Sequence, residues 1–167
     1  MILETRRLLI TELTVDDAPF IFKLMNDKEW KRFIGDRNIH TLEDAKNYLT
    51  ERLIPSYKNW GFGFYKVADK NTDEPLGISG FVERNELEHV DVGFAFLPEG
   101  RKKGYALEST QALLFYASDE LDLKTILAIA NKDNKNSHRL LKKLGFRFQK
   151  NIKLYDEKEE ISLFTNR

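Results

Sequence analysis

One short stretch of basic and small residues has the composition of an anion-binding loop. Residues 101–106 read RKKGYA, the pattern R-x-x-G-x-A, and the apolar spacing changes there from every second residue to every third or fourth. This change predicts a strand before the stretch and a helix after it. A helix N-terminus attracts anions through its free N–H groups and the positive end of its dipole. Basic side chains at that end are unfavourable unless an anion binds there. We therefore predict a phosphate or pyrophosphate site, with an ordinary solvated turn as the alternative.

Asn134 and Ser137 form a second polar group, just before and inside a predicted helix at 135–144. Short polar side chains at this position usually cap the helix, and they can also offer hydrogen bonds to a ligand in a cleft. Both interpretations stay open on spacing alone. The chain has neither a Walker loop nor the G-x-G-x-x-G pattern of dinucleotide-binding folds.

The elements that must position these residues form an α/β pattern with a mixed, largely antiparallel sheet and helices on its faces. Thr14 and Thr41 are predicted N-caps, Gly145 is a predicted helix end, and Pro55 is expected to follow the end of a helix. Segment 26–40 is expected to be irregular. Strands are predicted at about 6–13, 62–67, 76–82, 88–97, 125–130, 146–154 and 161–165, and helices at about 14–25, 41–54, 104–119 and 135–144.

Composition limits the class of protein. The 167 residues predict a single domain, 1–167, and the formal net charge of +0 argues against nucleic acid as a partner. The chain has no Cys, which excludes a disulfide framework, a thiolate metal site and a Cys nucleophile. No apolar run approaches about 20 residues and the start of the chain does not resemble a signal peptide. We expect a cytoplasmic protein without membrane or metal, and leave monomer or homodimer open.

The sequence stretches around 101–106 and 134–137, taken together, resemble those of the GCN5-related N-acetyltransferase (GNAT) superfamily. The resemblance lies in VGFAFLPEGRKKGYALEST and, some thirty residues later, NKNSHRLLKKLGF. RRLLITELTVDDAPFIFKLMND and RFIGDRNIHTLEDAKNYL are similar to the opening of its ribosomal-protein N-terminal acetyltransferase branch, the RimJ/RimL-like proteins. Nearly the whole chain is covered. One departure lies at Arg101 and Lys102, where relatives often carry an aromatic residue and Gly.

This resemblance implies acetyl-CoA as the acetyl donor. Its pantetheine arm would lie along Ala95, Phe96 and Leu97, on a strand that splays from the one at 125–130. Asn134 would bond the arm, and Ser137 would donate a proton to the departing thiolate. The pyrophosphate would rest on N–H groups of Arg101, Lys102, Lys103, Gly104, Tyr105 and Ala106.

The resemblance also implies a general base, and Asp91 is the first candidate. Five residues separate it from Phe96, roughly 16 Å along a strand, which is of the order of a pantetheine arm. His89 is predicted to share its strand face and ranks second. The alternative is that Asp91 is a solvent-facing or ion-paired carboxylate. Glu83, Glu86 and Glu88 also stay open.

For the acceptor side, the resemblance places Trp30 and Phe33 at the substrate pocket, with Tyr57 and Trp60 as further candidates. Phe164 stands where relatives often carry a Tyr, a residue that some acetyltransferases use as general acid. Tyr155 is expected at a hairpin end. The predicted activity is direct acetyl transfer in a ternary complex to a primary amine, either a protein N-terminus or a small molecule. The alternatives are a catalytically weak acyl-CoA-binding regulatory module and a nucleotide-binding protein.

Overall fold

The chain folds around an eight-stranded sheet, seen in a computed structural model that describes residues 2–155 and 157–167. The strand order is β1-β2-β3-β4-β5-β6-β8-β7, and every neighbouring pair is antiparallel except β5 and β6. The predicted mixed, largely antiparallel sheet is confirmed. The strands are β1 Leu3–Glu4, β2 Leu8–Glu12, β3 Phe64–Asp69, β4 Pro75–Val82, β5 Asp91–Phe96, β6 Leu127–Asn131, β7 Arg147–Ile152 and β8 Ile161–Thr165.

Helices cover both faces of this sheet. Val92 and Phe96 of β5 belong to a core cluster that includes Leu113 and Leu141, whereas Ala95 packs against a cluster built on Ile21 and Leu24. Successive strand residues point to opposite faces, so these two clusters lie on opposite sides of β5. The helices are α1 Ala18–Met25, α2 Lys28–Phe33, α3 Leu42–Tyr48, α4 Pro55–Trp60, α5 Tyr105–Asp119 and α6 Lys135–Lys143.

The parallel strands β5 and β6 stay together over a short distance only. Their registered pairs are Asp91 with Leu127 and Val92 with Ala128, whereas β4 pairs with β5 from Asp91 through Phe96. Beyond Val92 the two strands part, which is the splay that the resemblance implied. A gap therefore opens toward their carboxyl ends.

The predicted caps are confirmed. At Thr41, the hydroxyl accepts from the N–H of Asp44 at 3.0 Å and the Asp44 carboxylate accepts from the N–H of Thr41 at 3.0 Å. Gly145 takes φ +90° after α6. The N–H groups of Gly145 and Phe146 then bond back to the carbonyls of Lys142 and Leu141, which satisfies the helix end.

Two helices contradict the sequence prediction. Segment 26–40 contains α2, whose first N–H groups are capped by the carboxylate of Asp27. Pro55 begins α4 rather than following a helix end. Its missing N–H is not needed in a first turn and its fixed φ suits a helix, so a π-helical turn at Leu49–Leu53 leads directly into α4.

Helix α5 offers a matched test of the core beneath the gap. Leu113 is fully buried and Phe115, two residues later, is 65% exposed. We expect Leu113→Ala to lower the free energy of unfolding by about 2–5 kcal/mol because it leaves a cavity. Phe115→Ala on the same helix should change it by less than about 0.5 kcal/mol. Urea unfolding of both variants checks this, and equal losses would contradict the packing described.

Candidate active site

A cleft of about 1280 Å³ follows the gap between β5 and β6. It is larger than the roughly 300–1,000 Å³ of a typical small-molecule site, so it has room for two reactants. Its walls come from β5, β6, the loop before α5, the start of α6 and the helices α2 and α4. The predicted residues that line it are Trp30, Phe33, Asp91, Ala95, Phe96, Arg101, Lys102, Gly104, Tyr105, Ala106, Asn134 and Ser137.

The loop before α5 presents unused backbone donors. After a 3-10 turn at Pro98–Gly100, Lys102 and Gly104 take φ of +59° and +80° and turn the chain into α5. In the part of the chain that the structure describes, the N–H groups of residues 102–107 have no backbone or side-chain acceptor. A row of free N–H groups at a helix N-terminus is the geometry that binds phosphate oxygens.

Arg7, from the loop before β2, contacts the loop at residues 101–104 and the first turn of α5. Its Nη1 donates to the carbonyl of Lys103 at 2.9 Å, and its guanidinium lies 4.5 Å from the Tyr105 ring centre. Its Nε pairs with Glu108 in the first turn of α5 at 2.7 Å. Lys103 therefore contributes backbone to the loop's support, and it lies outside the cleft lining.

Arg101 is already engaged within the protein. Its N–H donates to the carbonyl of Pro98 at 3.2 Å. Its guanidinium pairs with Asp27 and lies 3.2 Å from a carboxylate oxygen of Glu29. These contacts leave its side chain directed at α2, so any direct part of Arg101 in anion binding remains a prediction.

Asn134 and Ser137 face the cleft from the start of α6. The side-chain oxygen of Asn134 accepts from the N–H of Ser137 at 3.2 Å, so the capping interpretation holds. The amide nitrogen of Asn134 and the hydroxyl of Ser137 have no partner among the described residues. They are free to contact a ligand, and both interpretations are compatible in one structure.

Asp91 lies at the closed end of the gap, where β5 and β6 last pair. It is 1% exposed, lines the cleft and accepts a hydrogen bond from Arg84 Nε at 2.8 Å. Burial raises the pKa of Asp91 to about 6, and the Arg84 cation limits the rise. A carboxylate with this pKa is ionised at neutral pH and more basic than an exposed aspartate.

The other predicted bases are placed less favourably. The strand that was predicted to begin at 88 begins at Asp91, so His89 lies in the preceding loop, exposed and outside the cleft lining. The expectation that His89 shares the strand face of Asp91 is therefore wrong. Glu86 and Glu88 are exposed and outside the lining, and Glu83 reaches the cleft.

Of the residues predicted to contact the acceptor, Trp30 and Phe33 of α2 and Trp60 of α4 line the cleft. Tyr57 does not, because its hydroxyl accepts from the N–H of Leu13 and donates to the carbonyl of Phe64. Burial raises the pKa of Tyr57 above its usual range. Leu97 also lies outside the lining, buried against Ile78 in the α1–α3 core cluster.

Tyr155 and Phe164 of the tail lie outside the cleft lining. Tyr155 is 89% exposed after the end of β7, which fits the expected hairpin position. Phe164 is buried on β8, with its ring centre 5.1 Å from that of His138 and 5.9 Å from that of Phe148.

Sequence reasoning missed the partners of the predicted residues. Arg84, the cation beside Asp91, was not among the predicted site residues. The pairing of Val82 with Asp91 in the β4–β5 register is the signal that brings it close. Asp27 and Glu29, which hold Arg101, lie more than seventy residues before it, and no local pattern connects them.

Comparison with known proteins shows the family of this chain. The sequence profile of the acetyltransferase (GNAT) domain matches residues 7–147. The chain is 32% identical over 149 residues to the uncharacterized N-acetyltransferase YnaD of Bacillus subtilis. The match covers 88% of this chain and 83% of YnaD. This chain belongs to the GNAT acetyltransferase family. It is an acetyl-CoA-dependent N-acetyltransferase.

Solved structures show the same fold. RimL, a ribosomal L7/L12 alpha-N-protein acetyltransferase in complex with coenzyme A, superposes with a TM-score of 0.83 at 15% identity, covering 98% of this chain and 96% of that one. A spermidine N-acetyltransferase from Vibrio cholerae, in complex with CoA and spermine, gives 0.78 at 16% identity, covering 96% and 95%. At these identities the likeness concerns the fold alone.

Residues 2–155 and 157–167 contain neither a metal-binding cluster nor a helix that could span a membrane. No cluster of three or more His, Asp or Glu side chains is arranged to hold a metal ion. None of the helices in the same residues has the length and apolar character needed to cross a membrane.

Two glycines with positive φ separate loop geometry from general stability. We expect Gly104→Ala to weaken acetyl-CoA binding about tenfold, because a left-handed conformation costs an L-residue roughly 1–2 kcal/mol and the loop would relax. The new Cβ would also lie 3.3 Å from Arg7 Nη2. Gly145→Ala, at φ +90°, carries similar backbone strain away from the loop. Among the described residues, a Cβ at Gly145 would meet no atom within 4 Å apart from its neighbours in the chain. Calorimetry with acetyl-CoA, and with ATP as a control ligand, checks this; equal affinity losses would contradict it.

Proposed function

We propose that this GNAT enzyme acetylates a primary amine by direct attack within a ternary complex, with Asp91 as the general base. The observation that carries the proposal is the position of Asp91. It is a buried carboxylate at the closed end of the cleft whose open end carries the free N–H groups of residues 102–107. The RimJ/RimL-like branch is the narrower assignment we favour within the family.

Acetyl-CoA supplies an activated thioester when bound. The N–H groups of Lys102 to Ala106 would hold its pyrophosphate, and Gly104 allows close backbone approach there. The unpaired edge of β5 at Ala95 and Phe96 would bond the amides of its pantetheine arm, with the Asn134 amide across the gap. The free backbone groups and the gap both fit an extended ligand of this kind.

Asp91 would remove a proton from the attacking amine, directly or through one water. With a pKa of about 6, taking a proton from an α-amino group near pKa 8 is uphill by only about two units. From a lysine-like amine near pKa 10 the same transfer is uphill by about four units. An α-amino acceptor is therefore easier for a base of this strength to deprotonate than an alkylamine, and the panel of amines includes both classes.

Ser137 would pass a proton to the leaving thiolate while its own hydroxyl regains one from water. Its hydroxyl lines the cleft and has no partner in the described residues. Phe164, where relatives often carry Tyr, has no proton to give. Trp30 and Phe33 would contact the acceptor from α2.

The cytoplasm stays the proposed location, because a chain without Cys suits a reducing compartment.

Asp91→Asn tests the base. We expect it to lower kcat by about 10²–10⁴, the usual contribution of a general base, while the dissociation constant for acetyl-CoA stays within about twofold. Turnover is measured against a panel of N-terminal peptides, amino acids and polyamines, and binding by calorimetry. Glu88→Gln, an exposed carboxylate outside the cleft lining, is the matched control.

The outcomes separate the proposed roles. Unchanged turnover in Asp91→Asn would exclude Asp91 as the base and leave the family assignment intact. If the wild type binds acetyl-CoA and acetylates no amine in the panel, the regulatory-module alternative is favoured.

Arg84→Gln tests the pKa of the base. Below the pKa of Asp91 the base is protonated, so kcat/KM of the wild type should fall as pH drops through about 6. Because the Arg84 cation lowers this pKa, its removal should move the acid limb of the profile to higher pH. An acid limb at the same pH in both enzymes would show that another group controls it.

A further inference from the structure

The side chain of Arg101 links α2 to the loop before α5, whose backbone amides would hold the pyrophosphate and which is called the phosphate loop below. This guanidinium pairs with Asp27 and lies 3.2 Å from Glu29. The side chains of Arg101 and Asp27 are 25% and 11% exposed, so the pair is largely shielded from water. Charge-assisted contacts of arginine with carboxylates are directional and strong when shielded. The contact therefore fixes an orientation as well as a distance.

Helix α2 has few other directional restraints. Trp30 is its one buried residue, and the indole N–H of Trp30 is buried without a hydrogen-bond partner in the described part of the chain. Apolar packing is non-directional, so the ring holds α2 to the core without fixing its rotation. Asp27 is also the N-cap of α2, since it accepts from the N–H groups of Glu29 and Trp30. Arg101 therefore contacts α2 at its N-cap residue.

We propose that Arg101 is a positioning residue that places the acceptor wall of the cleft relative to bound acetyl-CoA. Its backbone begins the loop whose amides would hold the pyrophosphate, and its side chain holds the helix that carries Trp30 and Phe33. One residue therefore spans both half-sites. This inference rests on the proposed function, because it assigns the acceptor to the α2 side.

The chain offers a matched control for this ion pair. Lys23 of α1 pairs with Glu99 of the same loop at 2.6 Å, with side chains 58% and 49% exposed. Lys23→Gln therefore removes a loop-to-helix ion pair that does not involve α2. Asp27→Asn removes the charge while keeping a good N-cap residue, which separates the ion pair from the capping of the helix.

The test compares Arg101→Gln, Asp27→Asn, their double variant and Lys23→Gln. We expect each of the first two to raise KM for the best acceptor about tenfold, with kcat and the acetyl-CoA dissociation constant within about twofold of wild type. The double variant should be no worse than either single variant, because both remove the same pair. Lys23→Gln should change none of these constants. Arg101→Lys, which keeps the charge, should recover part of the loss.

A second measurement does not need the acceptor. The chain has two Trp residues, so Trp60→Phe leaves Trp30 as the single fluorescent reporter on α2. In this background, emission of Trp30 should shift to longer wavelength in Arg101→Gln and Asp27→Asn, and stay unchanged in Lys23→Gln.

The inference is overturned if Trp30 emission does not respond to loss of the pair. It is equally overturned if acceptor KM changes no more in Arg101→Gln than in Lys23→Gln, or if acetyl-CoA affinity falls as much as acceptor affinity. If the wild type acetylates no amine, the proposed function fails, and Trp30 emission still decides whether Arg101 positions α2.

Discussion

The early end of pairing between β5 and β6 is the constraint on which the site depends. Asp91 and Val92 are the β5 residues in register with β6, and within the described residues the edges that face each other beyond them have no strand partner. Buried backbone groups need polar partners, so the gap suits an extended ligand that carries amides of its own. The same geometry leaves Asp91 at the closed end, where burial raises its pKa to about 6. The gap and the buried position of Asp91 beside it therefore have one structural origin.

The wall of the gap formed by β5 is kept rigid by close packing on its other side. A Cβ at Gly80 would lie 2.1 Å from the carbonyl oxygen of Gly63, and one at Gly77 would lie 2.5 Å from that of Ala95. These contacts require glycine, and they let β4 pair with all six residues of β5. The β4–β5 register runs without a bulge from Asp91 to Phe96, so the cleft wall formed by β5 is backed by β4 along its whole length.

The features that sequence analysis predicted correctly are those with local causes. The Thr41 capping box and the end of α6 at Gly145 follow from side chains a few residues apart. The loop before α5 was located by a change in apolar period over neighbouring residues. Helix α2 was missed because its six residues are too few to show a period, and its support comes from the Asp27 cap, the burial of Trp30 and an arginine far along the chain. Arg84 was missed for a related reason: its closeness to Asp91 depends on hairpin register.

The positive charges of the loop before α5 are more nearly balanced by neighbouring carboxylates than the sequence indicates. Cations at a helix N-terminus oppose the dipole, and this conflict was one reason to predict a bound anion. In the structure Arg101 is paired with Asp27 and lies near Glu29, while Glu108 places a carboxylate in the first turn of α5 beside Arg7. The conflict is therefore confined to the exposed Lys102 and Lys103. What argues most directly for a phosphate is the row of N–H groups at residues 102–107, because these donors stay fixed by backbone geometry whatever the lysine side chains do.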